Sequence, residues 1–186
     1  MNTKTRVKLF AIVGSVFALV VAIIAGKALT RDVRPIRPGS SAPEFRAVNV
    51  VTGDTVSLRD YAGEVLLLNL WATWCAPCEV EMPSMQRLHE ELGSSGLKIV
   101  AVSIDAEESE FVARWAEERG LTFDVLHDQR GIIAVDYHST GQPESFVIDS
   151  DGVIVRKIWG PKEWDDPVES AVFRRLLGLP QPEDDG

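Results

Sequence analysis

Residues Val65-Leu66-Leu67-Leu68-Asn69-Leu70-Trp71 form an apolar run with one polar interruption. A run of that length without alternation is what a β-strand buried on both faces looks like. Such a strand needs cover on each side of its sheet, so it directs the chain towards an α/β arrangement. Four residues beyond it stands Cys75 and three further on Cys78, the only two cysteines in 186 residues. Ala76 to about Leu92 then places Met82, Met85, Leu88 and Leu92 on one helical stripe, so the cysteine pair opens a helix directly after a buried strand. Pro77 suits the first helical turn, where its missing N–H is not needed, and Pro83 is expected to kink the helix.

The flanking segments complete an alternating pattern. Ala47–Val51 and Thr55–Leu58 read as a hairpin around Thr52-Gly53-Asp54. Leu97–Ile104 reads as a second buried strand after Gly93 and Gly96, Ala106–Arg119 as an amphipathic helix closed by Gly120, and Phe123–Leu126 as a third strand. A short helix over Gly131–Val135, a hairpin of Ser145–Ile148 and Val153–Ile158, and a helix over Asp165–Leu177 follow. The pattern predicts a mixed central sheet with helices on both faces.

The amino terminus is of different composition. Leu9 to Ala25 is an apolar run broken only by Gly14 and Ser15, behind Lys4, Arg6 and Lys8. A basic lead followed by an apolar run reads as a signal-anchor, uncleaved because Ile23 and Ala25 make a poor cleavage site. This order leaves the amino terminus in the cytosol and the globular part outside the inner membrane; Lys27, Arg31, Arg34 and Arg37 beyond the span keep basic-residue counts from deciding orientation. Residues 1–27 are therefore expected to be the anchor, 28–43 a proline-rich linker, 44–179 the globular domain and 180–186 an acidic tail. The formal charge is −9, and from residue 28 onward 15 basic residues face 28 acidic ones, which disfavours nucleic acid as a partner.

At a helix start, free backbone N–H groups and the positive end of the helix dipole favour an anion, so a thiolate is favoured at Cys75. Cys78, one turn on, is placed to attack a mixed disulfide at Cys75, which makes Cys75 the attacking and Cys78 the resolving thiol. Four alternatives stand beside this. A zinc site would have to recruit His89, His127 or His138, none at a close repeat spacing, and no metal is expected. A purely structural bridge would close too short a loop to constrain the unfolded chain much. A thiol peroxidase would use one low-pKa cysteine and a basic group, and a metallochaperone would hold an ion through the dithiol.

Leu70-Trp71-Ala72-Thr73-Trp74-Cys75-Ala76-Pro77-Cys78, continued by Glu79-Val80-Glu81-Met82-Pro83, resembles the active-site segment of thioredoxin-like proteins, and within them the membrane-anchored TlpA/ResA/DsbE-like branch. The resemblance runs from about Ala42 to Leu177 and includes Thr140-Gly141-Gln142-Pro143-Glu144-Ser145-Phe146. It implies a thioredoxin-like fold with an N-terminal hairpin extension and an enzyme that exchanges protein disulfides, with no cofactor beyond the Cys75–Cys78 pair. It implies that Pro143 is cis and packs by the cysteines, that Gln142 offers its backbone to substrate, and that Trp74 and Pro77 contact substrate. It implies a substrate such as apocytochrome c during cytochrome c maturation, and a DsbD/CcdA-like membrane reductant.

Glu81 lies on nearly the same helical face as Cys78 and can shuttle protons or raise thiol pKa values; its plain alternative is a solvated helix glutamate. Asn69 stands where ordinary thioredoxins carry a buried aspartate, so proton handling for Cys78 cannot use a carboxylate at that position. Trp71 and Trp74 are expected to wall the site, with at least one of them core. His138 falls near the Pro143 loop, and all three histidines read as surface residues.

Overall fold

The computed structural model describes residues 12–22 and 36–181. They fall into two units, divided after Pro35. In the first, a helix α1 spans residues 12–22, and its side chains, Val13, Phe17 and Leu19 among them, are exposed all round. The expected linker lies outside the described residues up to residue 35. Its last part belongs to the second unit: Gly39 N–H donates to Ile154 O, Ile154 N–H to Ser40 O and Ala42 N–H to Gly152 O.

The second unit is built on one seven-stranded sheet. Its strands are β1 (Arg46–Asn49), β2 (Thr55–Ser57), β3 (Val65–Trp71), β4 (Leu97–Ser103), β5 (Asp124–His127), β6 (Glu144–Ile148) and β7 (Ile154–Trp159), in the order β2-β1-β5-β4-β3-β6-β7. β3, β4 and β5 run parallel, and the hairpins β1–β2 and β6–β7 add to the two sides antiparallel. The helices are α2 (Ala76–Leu92), α3 (Ser109–Glu118), α4 (Ile132–Asp136) and α5 (Pro167–Leu176). α2 has the expected bounds and runs on through Pro83. Gly96 adopts φ 105°, a left-handed conformation that glycine reaches without a Cβ clash, and it turns the chain from α2 into β4.

β3 explains the layering. Leu66, Leu68 and Leu70 pack with Val100, Val102, Phe146, Ile148 and Tyr137 on one face of the sheet. Val65, Leu67 and Trp71 pack on the other with Met82, Met85 and Leu88 of α2 and with Trp164 and Phe173. Both faces are thus spoken for, which is why the run does not alternate. Leu68 is fully buried at the centre of this strand, so Leu68→Ala is expected to destabilise the protein by about 2–5 kcal/mol in chemical denaturation.

Candidate active site

Cys75 and Cys78 are joined in a disulfide with a Cα–Cα distance of 5.2 Å. It sits at the C-terminal end of β3, the end at which open α/β sheets place their sites. Cys75 is the N-cap of α2, and the Cys78 N–H donates to its sulfur at 3.2 Å. In the reduced protein the same donor and the helix terminus favour the Cys75 thiolate. Cys75 is 5% exposed and Cys78 not at all, so a partner reaches Cys75 first.

The approach to Cys75 is held by a residue that sequence reasoning missed. Asp105, buried just after β4, accepts hydrogen bonds from Thr73 N–H at 2.9 Å, from Thr73 Oγ1 at 2.6 Å and from Ser103 Oγ at 2.6 Å. The Ile104 N–H donates to Trp71 O, extending the β3–β4 pairing to the edge of the loop. The signal available in the sequence was an aspartate closing a buried parallel strand, a position that faces the site end of the sheet. Asp105→Ala leaves several donors unpaired, so it is expected to cost about 1–3 kcal/mol in denaturation and to slow disulfide exchange by loosening Thr73 and Trp74.

The histidine expectation needs correction, because none of the three is exposed. His127 is buried, with Nε2 2.9 Å from Asp105 O and Nδ1 2.8 Å from Ser109 Oγ, so it braces the Asp105 turn. His89 is half-buried with its ring edge-on to Phe123, and burial pushes its pKa down. His138 does lie in the segment leading to Pro143, with φ 49°.

Glu81 is not a solvated helix glutamate. It is fully buried, and three donors surround its carboxylate: Asn69 Nδ2 at 2.7 Å from Oε1, and Lys162 N–H at 3.1 Å and Trp164 Nε1 at 3.2 Å from Oε2. All three favour the charged form, yet burial outweighs them and pushes the pKa up to about 7. A carboxyl group poised near neutrality therefore stands one helical turn from Cys78. Side chains so spaced are roughly 5–6 Å apart at Cβ. Asn69 also donates to Ser145 Oγ at 2.9 Å, tying the acid to β6. The turn 162–164 is pinned to α2, because Ser84 Oγ accepts from Trp164 N–H at 3.0 Å and donates to Glu81 O at 2.7 Å.

The aromatic residues divide. Trp71 is core, tilted against Trp115 at a centroid distance of 4.6 Å, and packs in one buried cluster with Cys75 and Cys78. Trp74 is 64% exposed beside Cys75, and Ala76, Pro77 and Val80 are exposed around it, so the disulfide has an apolar rim. Arg119 lies over Trp115 at 3.7 Å and donates to Glu79 Oε1, bracing the first turn of α2 from outside.

The Gln142–Pro143 peptide is cis, as the resemblance implies. Because Leu70 pairs with Glu144 across β3 and β6, Pro143 borders Trp71 at the sheet end that carries Cys75. Pro143 is buried and Gln142 half-buried.

Comparison with known proteins agrees with this geometry. The profile of the AhpC/TSA family matches residues 38–157. The thiol-disulfide oxidoreductase ResA of Oceanobacillus iheyensis is 38% identical over 148 residues, covering 78% of this chain and 76% of that protein. The thioredoxin-like protein YneN of Bacillus subtilis is 42% identical over 121 residues, covering 64% of this chain and 69% of that one. A crystal structure described as the thiol:disulfide interchange protein DsbE from Chlorobium tepidum superposes with a TM-score of 0.66 at 28% identity, over 76% of this chain and 96% of that one. A disulfide capping a helix after a buried strand, with a thioredoxin-like sheet beneath it, is what these relatives lead one to expect, and the chain belongs to the AhpC/TSA family and, within it, to the TlpA/ResA/DsbE-like thiol–disulfide oxidoreductases.

Proposed function

We propose that this enzyme works in the reducing direction on protein disulfides at the outer face of the inner membrane, with the haem-binding Cys-x-x-Cys-His of apocytochrome c as its substrate in cytochrome c maturation. The observation that carries the reading is Glu81, buried near neutral pKa one turn behind the resolving cysteine. The Cys75 thiolate attacks a substrate disulfide; that S–S bond breaks, a Cys75–substrate bond forms and one substrate thiolate leaves. Cys78 then gives its proton to Glu81 and attacks Cys75 Sγ, releasing the second substrate thiolate and closing the Cys75–Cys78 disulfide. Two electrons pass from the dithiol to the substrate, and no cofactor beyond that pair takes part. The exposed Trp74 and Pro77 receive the protein chain, and the backbone of Gln142 before Pro143 pairs with it.

Each cycle leaves the pair oxidised, so a membrane thiol donor of the DsbD/CcdA type restores it. Tethering is supported by the all-round exposed apolar side chains of α1 and by the basic lead before it. Among the described residues no helix is long and apolar enough to cross a membrane, so the anchor reading draws on the apolar run Leu9 to Ala25 as a whole. A Cys78→Ser variant expressed with its leader tests the proposal, because it stops the cycle at the mixed disulfide. Capture of apocytochrome c on Cys75 is the expected result; capture of unrelated proteins alone, or peroxide consumption undiminished in this variant, contradicts it.

A further inference from the structure

On the sheet face opposite Glu81 lies a second buried charged cluster that the sulfur chemistry does not use. Lys157 Nζ is 2.9 Å from Glu144 Oε1, and the two side chains are 6% and 0% exposed. Ser145 pairs with Asn69 and so shares the Glu81 face; Glu144, its neighbour on the strand, points the other way with Phe146. Lys157 is opposite Phe146 in the β6–β7 pairing, and its ammonium group stands 5.1 Å from the Phe146 ring and 5.2 Å from that of Trp159.

Each charge also reaches the loop that ends at Pro143. Lys157 Nζ donates to His138 O at 3.3 Å, and Glu144 Oε2 accepts from the Thr140 N–H at 3.2 Å. His138 has φ 49°, a left-handed conformation that is uncommon for a residue other than glycine. Ser139 Oγ donates to Gly141 O at 3.1 Å, closing the loop on itself. A buried ion pair contributes little net stability, since an apolar pair of similar volume serves the fold as well or better. What the charges add here is a grip on two backbone groups of the loop, one at each side of Ser139.

We propose that Glu144 and Lys157 are positioning residues that clamp the segment 138–143, fixing the backbone ahead of Pro143 for an incoming extended chain. The inference rests on the reading of the enzyme as a protein-disulfide reductase. It assigns the pair to substrate docking and not to electron or proton transfer.

The test is the double variant Glu144→Leu/Lys157→Met in the full-length protein, which removes both charges and both loop contacts while keeping the volume. Hydrogen exchange of the Thr140 amide should accelerate at least about tenfold, since its acceptor is gone. With a disulfide-bonded Cys-x-x-Cys-His peptide as probe, KM should rise about tenfold and kcat stay within about twofold, because the loss is one of preorganisation. Lys157→Arg, which keeps charge and donor, should leave KM close to wild type. Lys157→Gln, shorter and uncharged, weakens the hold on His138 O while leaving a polar group beside Glu144, and serves if the double variant does not fold; it should raise KM about threefold. Wild-type Thr140 exchange and wild-type KM in a folded variant overturn the clamp. A wild-type enzyme that leaves the peptide oxidised overturns the protein-reductase reading instead, and Thr140 exchange then decides the clamp alone.

Discussion

Cys75→Ser is expected to abolish disulfide reduction, by at least about 10³-fold, because exchange proceeds only through a thiolate and a serine hydroxyl is not ionised at neutral pH. Cys78→Ser should behave differently. Cys75 still attacks, but with no resolving thiol one turn on, the enzyme accumulates as a mixed disulfide with its substrate. The asymmetry follows from position: Cys75 caps α2 and is the more exposed sulfur, whereas Cys78 is enclosed behind it. Mass spectrometry of each variant after incubation with a disulfide-bonded peptide checks both outcomes. Equal trapping by the two single variants would remove the division of labour.

Glu81→Gln should show the second large effect, and it has two readouts. Burial lifts the Glu81 pKa from the usual carboxylate range to about 7, so between about pH 4.5 and pH 7 the folded protein retains a proton that the unfolded chain has lost. Stability conferred by the protonated form is complete at low pH, falls as pH rises through this window, and levels off above it. Glu81→Gln does not titrate, so denaturation curves between pH 4 and pH 8 should show about 3 kcal/mol less pH-dependent loss than wild type. On the proposed mechanism the resolving step needs Glu81 as the carboxylate that accepts the Cys78 proton. The wild-type rate of peptide reduction should therefore climb with pH through a midpoint near 7. Glu81→Gln should lose that limb and fall about 10²-fold at pH 8. An unchanged pH profile would leave Glu81 as a buried structural acid.

Much of this site could be read from local pattern. The apolar run gave β3 its bounds, the methionine and leucine stripe gave α2, and the helix-opening cysteines followed from those two elements. Strand ends elsewhere moved by a residue or two, because pairing partners and not propensity decide where a ladder stops: β5 runs to His127 where Ser103 and Val48 are there to pair with it. What local pattern could not supply was burial by distant residues. Glu81 sits on a helix whose periodicity leaves it open to solvent or core, and the deciding groups are Asn69, Lys162 and Trp164, far away along the chain. Asp105 gains its meaning only when Thr73 is brought beside it by the β3–β4 register. The Glu144–Lys157 pair depends in the same way on the β6–β7 register. Trp71 went the other way, since its place on β3 was legible but its packing against Trp115 of α3 was not.

The electron balance between the Cys75–Cys78 pair and a protein-like disulfide shows most directly whether the enzyme reduces protein disulfides. Fully reduced enzyme is mixed with excess disulfide-bonded Cys-x-x-Cys-His peptide under anaerobic conditions, and free thiols are counted on both molecules by alkylation and mass spectrometry. One peptide disulfide should be reduced for each Cys75–Cys78 disulfide formed. Persistence of both enzyme thiols beside the oxidised peptide, with oxidation occurring only on addition of peroxide, would contradict it.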